Sequence, residues 1–127
     1  MTHKVFVYGS LKRGFGNSHL LQTAKFLCKT TTFYPEYKMK SFGGFPAVGS
    51  GKHYISGELY EVDDATLQSL DWLESNGDFY QREEVPLVNH KGNAPIIAWM
   101  YMLIDELPNS DAGVRFDEQW NIQEWVG

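Results

Sequence analysis

Glu74 is a carboxylate in an apolar place. A helix over Asp63–Ser75 puts Leu67, Leu70 and Glu74 on one stripe, because Glu74 follows Leu67 by seven residues and Leu70 by four. A carboxylate on such a stripe must find partners or rise in pKa. The last turn of a helix, whose negative end disfavours an anion, pushes the same way. Both effects move Glu74 toward the range useful to a general base and acid. The alternative is that Glu74 turns to the helix edge and is solvated, since helix ends fray and their boundaries shift by a residue or two. Asp71 lies on the margin of the stripe and reads as a structural hydrogen-bonding residue rather than a second catalyst.

The second chemical feature is the run Val5-Phe6-Val7-Tyr8-Gly9-Ser10-Leu11-Lys12-Arg13-Gly14. An apolar strand that breaks into Gly-Ser leaves backbone N–H groups without ladder partners, and these can cradle an anion or a carbonyl oxygen. Ser10 lacks the flanking glycines of a nucleophile elbow and has no base beside it in sequence, so a donor role suits it better. Gly9 and Gly14 have P-loop spacing, but Phe15-Gly16 stands where Lys and Ser/Thr should follow. Gly14-Phe15-Gly16 is half a dinucleotide fingerprint, with His19 in place of its third glycine. His3, His19, His53 and His90 show no metal-ligand spacing with each other or with Cys28, so no metal site is expected. Glu83 and Glu84 are neighbours on a presumed strand and read as surface charges. Phe79-Tyr80, with Arg82 beyond, reads more readily as core than as site, but its position just after Glu74 keeps it a candidate.

The elements that must position these residues are legible in outline. His3–Tyr8 reads as a strand buried on both sides at its centre, and Asn17–Leu21 as a short helix capped by Asn17 or Ser18. Lys25–Lys40 suggests two short strands around Tyr34-Pro35. Ser41–Lys52, with Gly43, Gly44, Gly49, Gly51 and Pro46, reads as a long irregular loop. His53–Glu61 alternates as a strand does. The Asp63–Ser75 helix is opened by Asp63 or Asp64 and stopped by Asn76-Gly77. Glu83–Asn89 and Ile96–Ile104 form a plausible antiparallel hairpin through residues 90–94. The tail from Asp105 is acidic and offers Trp120, Ile122 and Trp125 as docking residues. One good helix among six or so strands fits α+β with a mixed or barrel-like sheet, not regular βαβ alternation.

The 127 residues suit one domain spanning 1–127. A net charge of −5 argues against nucleic acid, and Lys12-Arg13 is too short to reverse that. Cys28 is alone, so no intramolecular disulfide is possible. No signal-peptide pattern and no apolar run of membrane-spanning length is present, so a cytoplasmic protein without a membrane partner is expected.

VFVYGSLKRG at Val5–Gly14, Gly57-Glu58-Leu59-Tyr60 and LDWLESNGDFYQR at Leu70–Arg82 together resemble the γ-glutamylcyclotransferase superfamily, and within it the compact γ-glutamylamine cyclotransferase (AIG2-like) branch. The matching motifs run from residue 5 to about residue 103. The resemblance implies a small mixed β-barrel flanked by a few helices, with a cavity at its side. It implies that Tyr8, Gly9, Ser10 and Leu11 bind substrate, that Glu74 supplies the acid–base chemistry, and that Tyr80 lies near the substrate. The implied reaction turns a γ-glutamyl amine or γ-glutamyl amino acid into 5-oxoproline and a free amine, without metal or cofactor. A non-catalytic binding module on the same fold is the alternative, since fold alone does not secure function. The glycine-rich stretch Gly43–Gly51 departs from the family pattern, and it is expected to border the leaving group.

Overall fold

A computed structural model describes residues 1–127. Its centre is strand β1 (Thr2–Val7). Val5, Phe6 and Val7 are at most 3% exposed, so this strand is covered on both faces. Alternation then splits its side chains between two cores. Val5 and Val7 join one cluster with Leu67 and Leu70, while Phe6 and Tyr8 join another with Met39, Val48, Ile55 and Met100.

Around β1 the chain adds β2 (Lys25–Thr31), β3 (Tyr37–Ser41), β4 (Pro46–Ser50) and β5 (Tyr54–Asp63). After helix α1 (Asp64–Leu73) come β6 (Tyr80–Leu87), β7 (Ile96–Leu103), β8 (Val114–Asp117) and β9 (Ile122–Trp125). The main sheet has seven strands in the order β6-β7-β1-β5-β9-β8, with β2 also on β5. It is mixed: β1 runs parallel to β7 and antiparallel to β5. The sheet curls until its ends meet, where Thr32 bridges Leu87, Phe33 N donates to Pro86 O and Val88 N donates to Thr31 O. That contact closes β2-β5-β1-β7-β6 into the expected small barrel. The α+β, barrel-like expectation therefore holds, with one α-helix and a 3-10 turn at Ser18–Leu21 in place of several flanking helices. No helix is long and apolar enough to cross a membrane.

Helix α1 forms where the sequence shows it should. Asp63 Oδ1 accepts from Thr66 N at 2.8 Å, capping the first turn, and this contact holds the Asp63 carboxyl below its usual range. Leu67 and Leu70 are 6% and 0% exposed, and each contributes about 1.5–3 kcal/mol of apolar burial. The helix ends one residue before Glu74, and Ser75 takes a left-handed φ of +48°.

Two expectations are corrected. Residues 41–52 are not a long loop but a tight hairpin, β3 and β4, turning through residues 42–45. Pro46 heads its strand, where a missing N–H costs no ladder bond. Gly49 and Gly51 mark close approach: a Cβ at Gly51 would lie 2.7 Å from Tyr37 O, and one at Gly49 3.0 Å from Leu107 Cδ1. The tail is likewise a hairpin, β8 and β9, with β9 running parallel to the start of β5. Trp125 is a core residue at 2% exposure, whereas Trp120 is 63% exposed.

Candidate functional site

Where β1 ends, the chain folds back on itself. Lys12 N donates to Gly9 O at 3.0 Å, Phe15 N to Lys12 O at 3.1 Å, and Asn17 N to Ser10 O at 2.9 Å. These turns leave the N–H groups of Gly9, Ser10 and Leu11 without a protein acceptor. The Asn17 amide donates to Ser10 Oγ at 3.0 Å, which leaves the serine proton free for another acceptor. Gly9 is required by contact: a Cβ there would sit 2.8 Å from Pro46 Cγ.

The two cations of this loop face elsewhere. Lys12 is buried, donates to Trp125 O at 2.6 Å, and burial holds its ammonium below the usual lysine range. Arg13 stacks on the Phe26 ring at 3.9 Å and pairs with Glu58. Neither lines the cavity beside them, which has a volume of about 560 Å³.

That cavity brings together all six residues singled out from the sequence. Tyr8, Gly9, Ser10 and Leu11 line it together with Glu74 and Tyr80. Of the eighteen residues lining it, Glu74 alone carries a charge. Its carboxylate has no hydrogen-bond partner in the protein, and burial pushes its pKa up to about 7. Glu74 thus faces the cavity half-buried, with no protein group on its carboxylate. The backbone holds it there: Glu74 N donates to Leu70 O at 2.9 Å, and Tyr80 N donates to Glu74 O at 3.2 Å.

The tyrosines around Glu74 behave differently. Tyr8 OH donates to Tyr101 O at 2.6 Å, Tyr80 OH to Pro46 O at 2.8 Å, and Tyr101 OH to Asp71 Oδ1 at 2.6 Å. Burial and then the nearby charges, Glu74 among them, hold all three phenols above their ordinary range. Their protons are committed to the protein, so Glu74 is the group in this cavity able to exchange a proton near neutral pH. Asp71 accepts from Arg82 Nε at 2.8 Å as well as from Tyr101, and Arg82 lies 4.4 Å over the Trp99 ring. The Tyr-x-Arg motif therefore braces the helix end from below.

The histidines do not converge: His3 contacts Asp64, His53 contacts Asn121 and His90 contacts Thr30. No three His, Cys, Asp or Glu side chains meet in a cluster able to hold a metal.

Sequence reasoning did not single out Asn17 as a pocket residue, nor Phe45 and Tyr101 at all. Asn17 was expected as a cap, but its side chain makes no cap bond and turns to Ser10 instead. Tyr101 reaches the site only through a contact with Tyr8 across 93 positions of chain.

Comparison with known proteins gives the arrangement a family. Residues 5–122 match the family described as gamma-glutamyl cyclotransferase, AIG2-like. The chain belongs to this family. The γ-glutamylcyclotransferase family protein YtfP of Escherichia coli is 34% identical over 99 residues, which cover 78% of this chain and 80% of that protein. Gamma-glutamylaminecyclotransferase C of Danio rerio is 41% identical over 104 residues, covering 72% of this chain and 66% of its own length. The crystal structure of an AIG2-like protein from Mus musculus superposes with a TM-score of 0.71 at 25% identity, over 87% of each chain. Membership in the γ-glutamylcyclotransferase family implies a γ-glutamyl small-molecule substrate.

Proposed function

We propose that this chain, acting as one domain, is a cyclotransferase that releases 5-oxoproline and a free amine from a γ-glutamyl amide, with Glu74 as general base and then general acid. The observation that carries this reading is the isolated, raised-pKa carboxylate of Glu74 in an otherwise uncharged cavity. A γ-glutamyl amide contains its own nucleophile, the α-amine, set to close a five-membered ring on the γ-carbonyl. Glu74 takes a proton from the α-ammonium, and the freed nitrogen bonds to the carbonyl carbon of the γ-amide. The bond from that carbon to the leaving nitrogen breaks as Glu74 passes this proton to the departing amine, and the ring nitrogen gives up its second proton, again through the carboxylate, to the released amine, which leaves as an ammonium. One carboxylic group serves both steps, because they follow each other at one centre. No external nucleophile is consumed.

The free N–H groups of Gly9, Ser10 and Leu11 suit the remaining task. They are preorganised donors for the substrate's carboxylate or for the oxyanion that develops on the γ-carbonyl. The rings of Tyr8 and Tyr80, their hydroxyls already occupied, give the substrate rigid walls.

Product identity tests the reaction. Incubating the purified protein with a panel of γ-glutamyl amides should yield 5-oxoproline and amine in equal amounts. Free glutamate in place of 5-oxoproline would make the protein a hydrolase. Thermal stabilisation by the amides without any product would make it a binding module.

A further inference from the structure

At the cavity mouth the β3–β4 turn sets three phenylalanine rings against one another. Phe42 and Phe45 stack with centroids 5.1 Å apart, and Phe79 lies 5.6 Å from Phe42 and 6.4 Å from Phe45. Phe45 and Phe79 line the cavity, and Phe42, outside the lining itself, packs against both of them. The three are 42%, 39% and 37% exposed, so a contiguous aromatic face stands in water beside the proposed reaction centre.

The turn is built to hold this face. Phe42 N donates to Phe45 O at 2.9 Å, Gly43 N donates to Ser41 Oγ at 2.8 Å, and Gly43 takes a φ of +101° that a side chain would strain. Phe79 in turn packs edge-on to Tyr80 at 4.8 Å, whose hydroxyl is tied to Pro46 O. Charge points the same way. With Glu74 the sole charged residue lining the cavity, a leaving group bearing a carboxylate would meet no cation.

Resting on the reading of Glu74 above, we propose that Phe42, Phe45 and Phe79 form the subsite of the departing amine and select γ-glutamyl amides whose amine carries an apolar alkyl or arylalkyl group. The rings bury that group while the γ-glutamyl end occupies the Gly9–Leu11 wall. Preference therefore rises with the apolar area of the amine.

The test compares γ-glutamyl phenethylamide, γ-glutamyl methylamide and γ-glutamyl glutamate as substrates, reading 5-oxoproline. The phenethylamide should exceed the other two in kcat/KM by roughly ten- to a hundredfold. Phe42→Ala and the milder Phe42→Leu should shrink its advantage over the methylamide, Phe42→Ala the more. Trp72→Ala, in the neighbouring groove between α1 and the 3-10 turn and outside the cavity lining, should not. A wild-type preference for the methylamide or the dipeptide, an advantage unmoved by Phe42→Ala, or one moved only by Trp72→Ala would overturn the subsite. Calorimetric binding of the same amides to the Glu74→Gln protein separates this proposal from the proposed reaction. If no amide gives 5-oxoproline, the reaction fails. The subsite then stands only if the phenethylamide still binds and Phe42→Ala weakens it. Binding that is absent, or that Phe42→Ala leaves unchanged, overturns it.

Discussion

Asp71 and Glu74 are two carboxylates three residues apart on one helix end, yet the molecule treats them in opposite ways. Asp71 accepts from Tyr101 and from Arg82, and so fastens α1 to β6 and β7. Glu74 accepts from nothing and faces the cavity, where burial lifts it to about 7. Sequence neighbourhood, helix position and chemical type are nearly shared, so partners alone separate a brace from the carboxylate we propose as the proton carrier. The brace also explains how the carrier is kept in place. An unpartnered carboxylate would tend to swing toward solvent, and the Asp71–Arg82 pair together with the Tyr80–Glu74 backbone bond fixes the turn from which it projects.

The contrast can be broken most sharply at Glu74. Glu74→Gln keeps the shape and removes the proton carrier, so 5-oxoproline release should fall by roughly two to four decades. Near-normal turnover by that variant would leave Glu74 no catalytic role. Next in size is the pH profile. Because the carboxylate is the active form, kcat/KM should fall about tenfold per pH unit below about 7, and this limb should vanish in Glu74→Gln. A limb near the ordinary carboxylate range would mean that the cavity does not hold Glu74 as described.

At Asp71 the expected loss is of stability. Asp71→Ala strands the Tyr101 hydroxyl and the Arg82 guanidinium, which should cost about 1–3 kcal/mol in urea unfolding and lower kcat less than tenfold. Smallest is the reverse effect at Glu74. A carboxylate whose folded pKa exceeds its unfolded 4.5 binds more protons when folded, so its ionisation disfavours folding as pH rises from 4.5 to 7. Glu74→Gln should therefore be more stable than the parent at pH 8, by roughly 1–2 kcal/mol after allowance for partial exposure, and equal to it near pH 4. A destabilised Glu74→Gln at pH 8 would place Glu74 with the braces.

The parts legible in the sequence are those governed by local rules. Alternation reads out β1, β5 and the β6–β7 hairpin, and the Asp63 cap with its apolar stripe reads out α1, because each is set within a few residues. Glu74 was visible for the same reason: the stripe that buries Leu67 and Leu70 carries it inward. What stayed hidden depends on distant packing. Glycine signals both turns and close approach, and at Gly49 and Gly51 the second meaning held, so β4 was hidden inside an apparent loop. Trp125 becomes core only because β9 is laid beside β5. Phe42 and Phe45 meet because a four-residue turn returns them to one side, and Phe79 reaches them from the far end of α1. No period in the sequence records that meeting.

Pro46 is touched from two directions: its ring fills the space a Cβ on Gly9 would need, and its carbonyl receives the Tyr80 hydroxyl. Positions 9 and 46 are thus not free to drift separately. A mutational path that enlarges residue 9 must first, or at the same moment, remove bulk at 46, and the opposite order passes through a crippled intermediate. Suppressor screens started from Gly9→Ala should return substitutions at Pro46. A change there also loosens Tyr80, so repair of one wall is paid for at the other. Variation that reshapes this cavity is therefore channelled toward the aromatic mouth, where side chains stand in open water and can be exchanged one at a time.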